Sequence, residues 1–211
     1  MSLIDFDTQY CNSIRSIETN LQESADKILK NYTFDLTKTE ISEAILNRLK
    51  TYYVSQQNIK KILNKRYQTT GADYFVETVV FFLQLYFKKL GGQFSVHSER
   101  QIKKNKNSIR PDISIWKDDE VIAIIECKTQ LGWNRKNWEQ DFEAREKKLK
   151  TDFPNASAFL LVMTEQNWGG FGNNKNLGRK YFCLLKDISI IQYEDNKQLY
   201  TKIEELIKKI K

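Results

Sequence analysis

Two short runs bring two carboxylates and one ammonium within reach of each other. In the first, Arg110-Pro111-Asp112-Ile113-Ser114-Ile115-Trp116, apolar and polar residues alternate. Ile113 and Ile115 face one way; Asp112, Ser114 and Trp116 face the other. The second, Val121-Ile122-Ala123-Ile124-Ile125-Glu126-Cys127-Lys128, is the β-branched run of a strand buried on both faces. Lys117-Asp118-Asp119-Glu120 between them is a polar turn. The pair reads as a β-hairpin. Side chains alternate along a strand, so Glu126 and Lys128 share a face and Cys127 points away. The start of one antiparallel strand lies beside the end of its partner, which sets Asp112 opposite Glu126 and Lys128. Carboxylate oxygens in such a place suit a hard divalent cation such as Mg²⁺, typically held by one or two carboxylates plus substrate phosphate.

Two other stretches carry the same acid-x-Lys spacing and act as controls. Glu146-Lys147-Lys148 falls in a helical stretch, where residues two apart do not face each other. Asp195-Asn196-Lys197 falls in a polar turn before a helix. Only Glu126-Cys127-Lys128 ends an apolar strand with a Pro-Asp strand before it.

Pro111-Asp112 followed by Glu126-Cys127-Lys128 resembles the signature of the PD-(D/E)XK nuclease superfamily, the fold of many restriction endonucleases. From residue 72 to about 192 the elements read helix, strand, strand, strand, helix, strand, strand. This is similar to the αβββαβ core order of that superfamily, and the motif residues fall on the elements that the fold requires. The expected class is α/β, a mixed central sheet flanked by helices with an N-terminal helical subdomain. The expected division is 1–70 helical, for recognition or dimerisation, 71–195 nuclease core, and 196–211 a C-terminal helix on the core. The resemblance implies an endonuclease acting on double-stranded DNA, most like a small type II restriction enzyme and a homodimer, cutting to 5′-phosphate and 3′-hydroxyl ends. It implies Mg²⁺ or Mn²⁺ held by Asp112, Glu126 and the Cys127 carbonyl, with Glu77 as a further metal ligand and Lys128 as the catalytic cation. Glu77 enters on its place in an apolar helix, where a buried carboxylate is costly unless paired or metal-bound. A structure-directed repair or mobile-element nuclease and a non-catalytic DNA-binding module are the alternatives.

The composition fits a nucleic-acid partner. The 211 residues carry a net charge of +7 and are 40% hydrophobic, enough for one domain with a full core. The sequence pI is about 9.1. A positive surface attracts phosphate backbone while acids gathered at one point hold metal. Cys11, Cys127 and Cys183 are far apart with no C-x-x-C spacing, which suggests neither a disulfide framework nor a zinc site. No apolar run approaches a membrane span, and no signal-like segment opens the chain; the expected setting is cytoplasmic. His97 is the single histidine, which excludes mechanisms needing two. It reads as structural or as a DNA contact.

Residues 4–31 form one amphipathic helix whose Tyr10, Ile14, Ile17, Leu21 and Ile28 make a near-heptad stripe. Such a stripe packs on its own domain or pairs with a second subunit, and the first is expected. Thr37-Lys38-Thr39-Glu40 reads as a capping box opening a helix to about Tyr52. Ser55 reads as the cap of another, 56–67, with Ile59, Ile62 and Leu63 inward and Lys60 and Lys61 outward. Two helices on a short turn can enter a major groove, or this face is simply solvated. A helix from Gly71-Ala72-Asp73 to Gly91-Gly92 is apolar nearly all round. After a strand at 94–97, the segment 98–110, with Lys103, Lys104 and Arg110, contacts phosphates or is a solvated turn. Gln130 follows the motif. Asn134 can cap a helix at 135–150 bearing Trp138, Phe142 and Leu149 on one face. Strands at 157–163, 181–185 and 188–192 and a closing helix at 197–211 complete the chain. The glycine-rich segment 164–180 is long for a plain connector. Its Asn173, Asn174, Lys175 and Arg179 are side chains able to read DNA.

Overall fold

The computed structural model describes residues 2–104, 108–132 and 137–210. The chain divides into two compact units, Met1–Phe34 and Asp35–Lys211.

The first unit is built on one helix, α1 (Leu3–Asn31). Ser2 and Asp5 close a reciprocal capping box at its start, supplying partners for amides that the first turn leaves free. Contrary to expectation, α1 buries none of its residues. The stripe Tyr10, Ile14, Ile17 and Leu21 is exposed.

The second unit begins with α2 (Glu40–Ile62). This is one helix where the sequence suggested two. Tyr52-Tyr53-Val54-Ser55 contains neither Gly nor Pro, and Ser55 by itself does not stop a helix whose next turn can continue the hydrogen-bond ladder. The proposed two-helix groove reader is therefore absent: Lys60 and Lys61 lie in the last turn of α2, and Ile62 and Leu63, expected inward, are exposed. The capping box at Thr37–Glu40 is not formed either, since Thr39 makes no side-chain cap. The start of α2 is capped from the other end of the chain. Glu204 Oε1 accepts from the Ile41 and Ser42 amides at 2.8 and 3.0 Å, and its other oxygen accepts from the Ser42 hydroxyl at 2.5 Å. A carboxylate there also meets the positive end of the helix dipole.

Helix α3 (Ala72–Lys89) packs against α2. It ends where the glycine pair predicts. Gly91 and Gly92 have positive φ, and the Gly92 amide reaches back to the Phe87 carbonyl at 3.2 Å, a left-handed helix end that needs no Cβ. The strands follow: β1 (Phe94–Ser98), β2 (Ile113–Lys117), β3 (Glu120–Lys128), then α4 (Trp138–Asp152), β4 (Ser157–Thr164) and β5 (Tyr181–Leu185). They form a five-stranded mixed sheet in the order β1-β2-β3-β4-β5. The first three are antiparallel neighbours; β3, β4 and β5 run parallel. The parallel strands are buried at nearly every position, as strands covered on both faces must be. Phe142 and Leu149 of α4 pack with Ile124, Leu160, Val162 and Cys183 on one sheet face, while α3 packs against β1 and β3.

Element order, strand order and strand directions make this a mixed α/β fold with a restriction-endonuclease-like core and an N-terminal helical region. The C-terminal region departs from the reading. Residues 188–192 are a one-turn 3₁₀ helix, Ile190–Gln192, and the closing helix shrinks to α5 (Ile203–Ile207). Ser189 and Asp195 each cap a short turn, and such side-chain competition with the backbone breaks up longer elements.

Candidate active site

The register of the β2–β3 hairpin places the motif. Ile113 pairs with Ile125, so Asp112, one residue before β2, comes beside Glu126. Asp112 Oδ2 accepts two hydrogen bonds, from the Cys127 amide at 2.8 Å and from Lys128 Nζ at 3.0 Å. Lys128 Nζ also lies 3.9 Å from Glu126 Oε2. The two acids and the lysine expected to converge do so, at the end of the sheet where β3 emerges.

Their environments differ. Glu126 is buried, while Asp112 and Lys128 stay partly exposed. Burial, and then the Asp112 charge, push the Glu126 carboxyl above its ordinary range, against the pull of Arg145 and Lys128. Arg145 is the residue that the sequence reading missed. It projects from α4 and donates a short, charge-assisted hydrogen bond to Glu126 Oε1. Its signal was present, since Trp138, Phe142, Arg145 and Leu149 recur at intervals of three and four along one helical face. An open cleft of about 490 Å³ lies here, lined by Glu126, Lys128, Trp138, Phe142 and Arg145 among others. Tyr53 was also missed. Its hydroxyl packs against Gly71, 3.0 Å from where a Cβ there would stand, which joins α2 to the start of α3.

Glu77 requires a correction. It is exposed, so the cost of burial that singled it out does not arise. Helix α3 is apolar on the side that packs, through Phe75, Thr78, Val79 and Phe82, while Asp73, Glu77, Gln84 and Lys88 run along its solvent side. Among the described residues no group of three or more His, Cys, Asp or Glu side chains is placed to hold a metal. The acids that meet Lys128 are the pair Asp112 and Glu126; Asp141, exposed on α4, also lines the cleft. That pair, with the Cys127 carbonyl on the same strand, suits Mg²⁺, which retains waters and asks for few protein ligands. Burial, and after it the Asp112 charge, disfavour the ionised form of Glu126, and a divalent ion bound beside it would favour that form.

The residues proposed to meet DNA scatter around this centre. Arg110 is exposed two residues before Asp112, and Gln130 half-buried two residues after Lys128. Lys104 is exposed, but Lys103 is engaged with Asp152 at 2.6 Å. Arg100 stacks over Trp116 at 4.0 Å and meets His97 at 2.9 Å, so His97 has a structural partner. The residues expected to cap and open α4, Asn134 and Arg135, lie outside the described residues.

Segment 164–180 is more built than a plain connector. Buried Glu165 accepts from the Phe171 amide at 2.8 Å, and Phe171 stacks on Tyr181 and meets Trp138 edge-on. Asn174 donates to Glu139 on α4 at 3.1 Å, which occupies one of its amide donors. Asn173, Lys175 and Arg179 are exposed.

No family model matches the sequence, and no curated protein matches it. Among solved structures the chain is similar to one described as the native BbvCI A2B2 tetramer at low resolution. The identity is 10% and the TM-score 0.38, over 96% of this chain and 88% of that one. Among the described residues no helix is long and apolar enough to cross a membrane.

Proposed function

We propose that the chain is a metal-dependent DNA endonuclease of the PD-(D/E)XK superfamily, most similar to a small type II restriction enzyme and working as a homodimer on double-stranded DNA in the cytoplasm. The observation that supports this best is the meeting of Asp112, Glu126 and Lys128 at one end of a sheet with the superfamily's strand order. In this reading Asp112, Glu126 and the Cys127 carbonyl would hold Mg²⁺ or Mn²⁺. A bound ion of this kind polarises the scissile phosphate and lowers the pKa of water. Lys128 then has two tasks, orienting the attacking water and stabilising charge that grows on the phosphate. Asp112 holds the Lys128 ammonium in position. Arg145 neutralises Glu126 until the site is loaded and then offers its guanidinium to the phosphate. Arg110 and Gln130 flank the site and contact DNA in the same reading, as do the exposed Lys104, Asn173, Lys175 and Arg179.

The test is incubation of purified protein with unmethylated phage DNA in Mg²⁺ or in EDTA, read on a gel. Discrete Mg²⁺-dependent fragments are expected. A smear, or cutting only of branched DNA, would favour a structure-directed nuclease of the same fold. One observation favours the non-catalytic module instead: among the described residues no third acid joins Asp112 and Glu126 in a group placed to hold a metal, and Glu126 is held by Arg145. A mobility shift without cutting in any metal would establish that reading.

A further inference from the structure

Helix α1 leaves a row of large apolar side chains in water. Leu3, Tyr10, Ile14, Ile17 and Leu21 are between 44% and 84% exposed, while Ser24 and Ile28 are half-buried. Single exposed apolar residues need no explanation, but a continuous row along a helix does. The spacing 3, 7, 10, 14, 17, 21, 24, 28 alternates steps of four and three, which is the seam of a two-stranded coiled coil. Two positions in it are polar, Asp7 and Ser24.

Those two exceptions choose the partner. We propose that α1 pairs with α1 of a second copy, antiparallel, to make the dimer. Let Ile14 of one copy lie opposite Ile17 of the other. Tyr10 then meets Leu21, Leu3 meets Ile28, and Asp7 meets Ser24. Every apolar position faces an apolar one, and the single acid in the seam faces a hydroxyl that can donate to it. A parallel pair would instead set Asp7 against Asp7 inside an apolar seam, where burying like charges is costly. The antiparallel arrangement also opposes the two helix dipoles. Polar seam positions that match only in one orientation fix register and direction in coiled coils. Covering the row on both copies removes from water an area on the order of the ~800 Å² per partner that stable complexes bury. The pairing follows from the helix alone and gives the homodimer of the proposed nuclease a surface; a monomer that still cuts DNA would refute the pairing and leave the nuclease reading standing.

The test uses the full chain and needs no activity. Sedimentation equilibrium should give about 50 kDa, twice the 25.0 kDa chain. Ile14→Asp and Ile17→Asp should each weaken dimerisation by about 100-fold or more. A monomer at micromolar concentration, or a dimer indifferent to both changes, would overturn the proposal. Direction is read separately from spin labels on Asn12→Cys and Asp26→Cys, each in a Cys11→Ser background. Both positions lie on the outer side of the seam. The antiparallel pair separates the labels along the axis by about 10 Å at position 12 and about 31 Å at position 26. Equal distances at the two sites would mean a parallel pair and contradict the assignment.

Discussion

Burial and the nearby Asp112 raise the Glu126 carboxyl above its ordinary value of 4.5, and Arg145 and Lys128 only partly offset them. The native state therefore binds this proton more tightly than the unfolded chain does. The stability that Glu126 contributes is greatest below pH 4.5 and is lost as pH rises through the raised native value. Urea melts in EDTA across that window should show this decline, and Glu126→Gln should remove it. Added Mg²⁺ binds the ionised form and should flatten the decline in the natural protein. Arg145→Ala strips Glu126 of its short ion pair and should cost about 1–3 kcal/mol without metal, with a smaller loss once Mg²⁺ is present. An unchanged melting curve in that variant would show that Arg145 does not compensate the buried charge. At this scale Asp112, Glu126 and Lys128 were legible because strand alternation dictates which side chains share a face. Glu77 was misread because an apolar-looking helix still has a solvent side, which composition does not locate.

Strands β1 to β5 were readable from their apolar runs and the end of α3 from its glycine pair, whereas the β-branched run at 188–192 was misread as a further strand. The break proposed within α2 was not real, because a lone Ser is a permissible interior residue as well as a cap. The Glu204 cap was invisible for another reason: it joins residues about 160 positions apart, and no local pattern announces such a pairing. Glu204→Ala leaves two buried amides at the start of α2 without that acceptor and should cost about 2–4 kcal/mol, read as a lower urea midpoint. The β4–β5 segment depends on Gly170, whose φ is +68° and whose missing Cβ would sit 2.5 Å from Glu165 Oε2. Gly170→Ala should displace Glu165 from the Phe171 amide and lower stability by about 1–3 kcal/mol. Limited proteolysis should then cut within 166–180 sooner than in the natural protein.

Net charge belongs to the whole molecule. At +7 the protein should bind DNA with an affinity that falls steeply with salt, its log–log slope reporting the phosphates contacted. Lys104→Ala or Arg110→Ala should shallow that slope by about one each. A slope unchanged by both would move the DNA path elsewhere. The central claim is that Asp112, Glu126 and Lys128 cut DNA as one unit. Its most direct measurement is the single-turnover cleavage rate of a duplex in Mg²⁺, for the natural protein and for Lys128→Ala, with binding followed in parallel. Lys128→Ala should cleave about 100-fold or more slowly at nearly unchanged affinity. Cleavage by Lys128→Ala at the natural rate would contradict it.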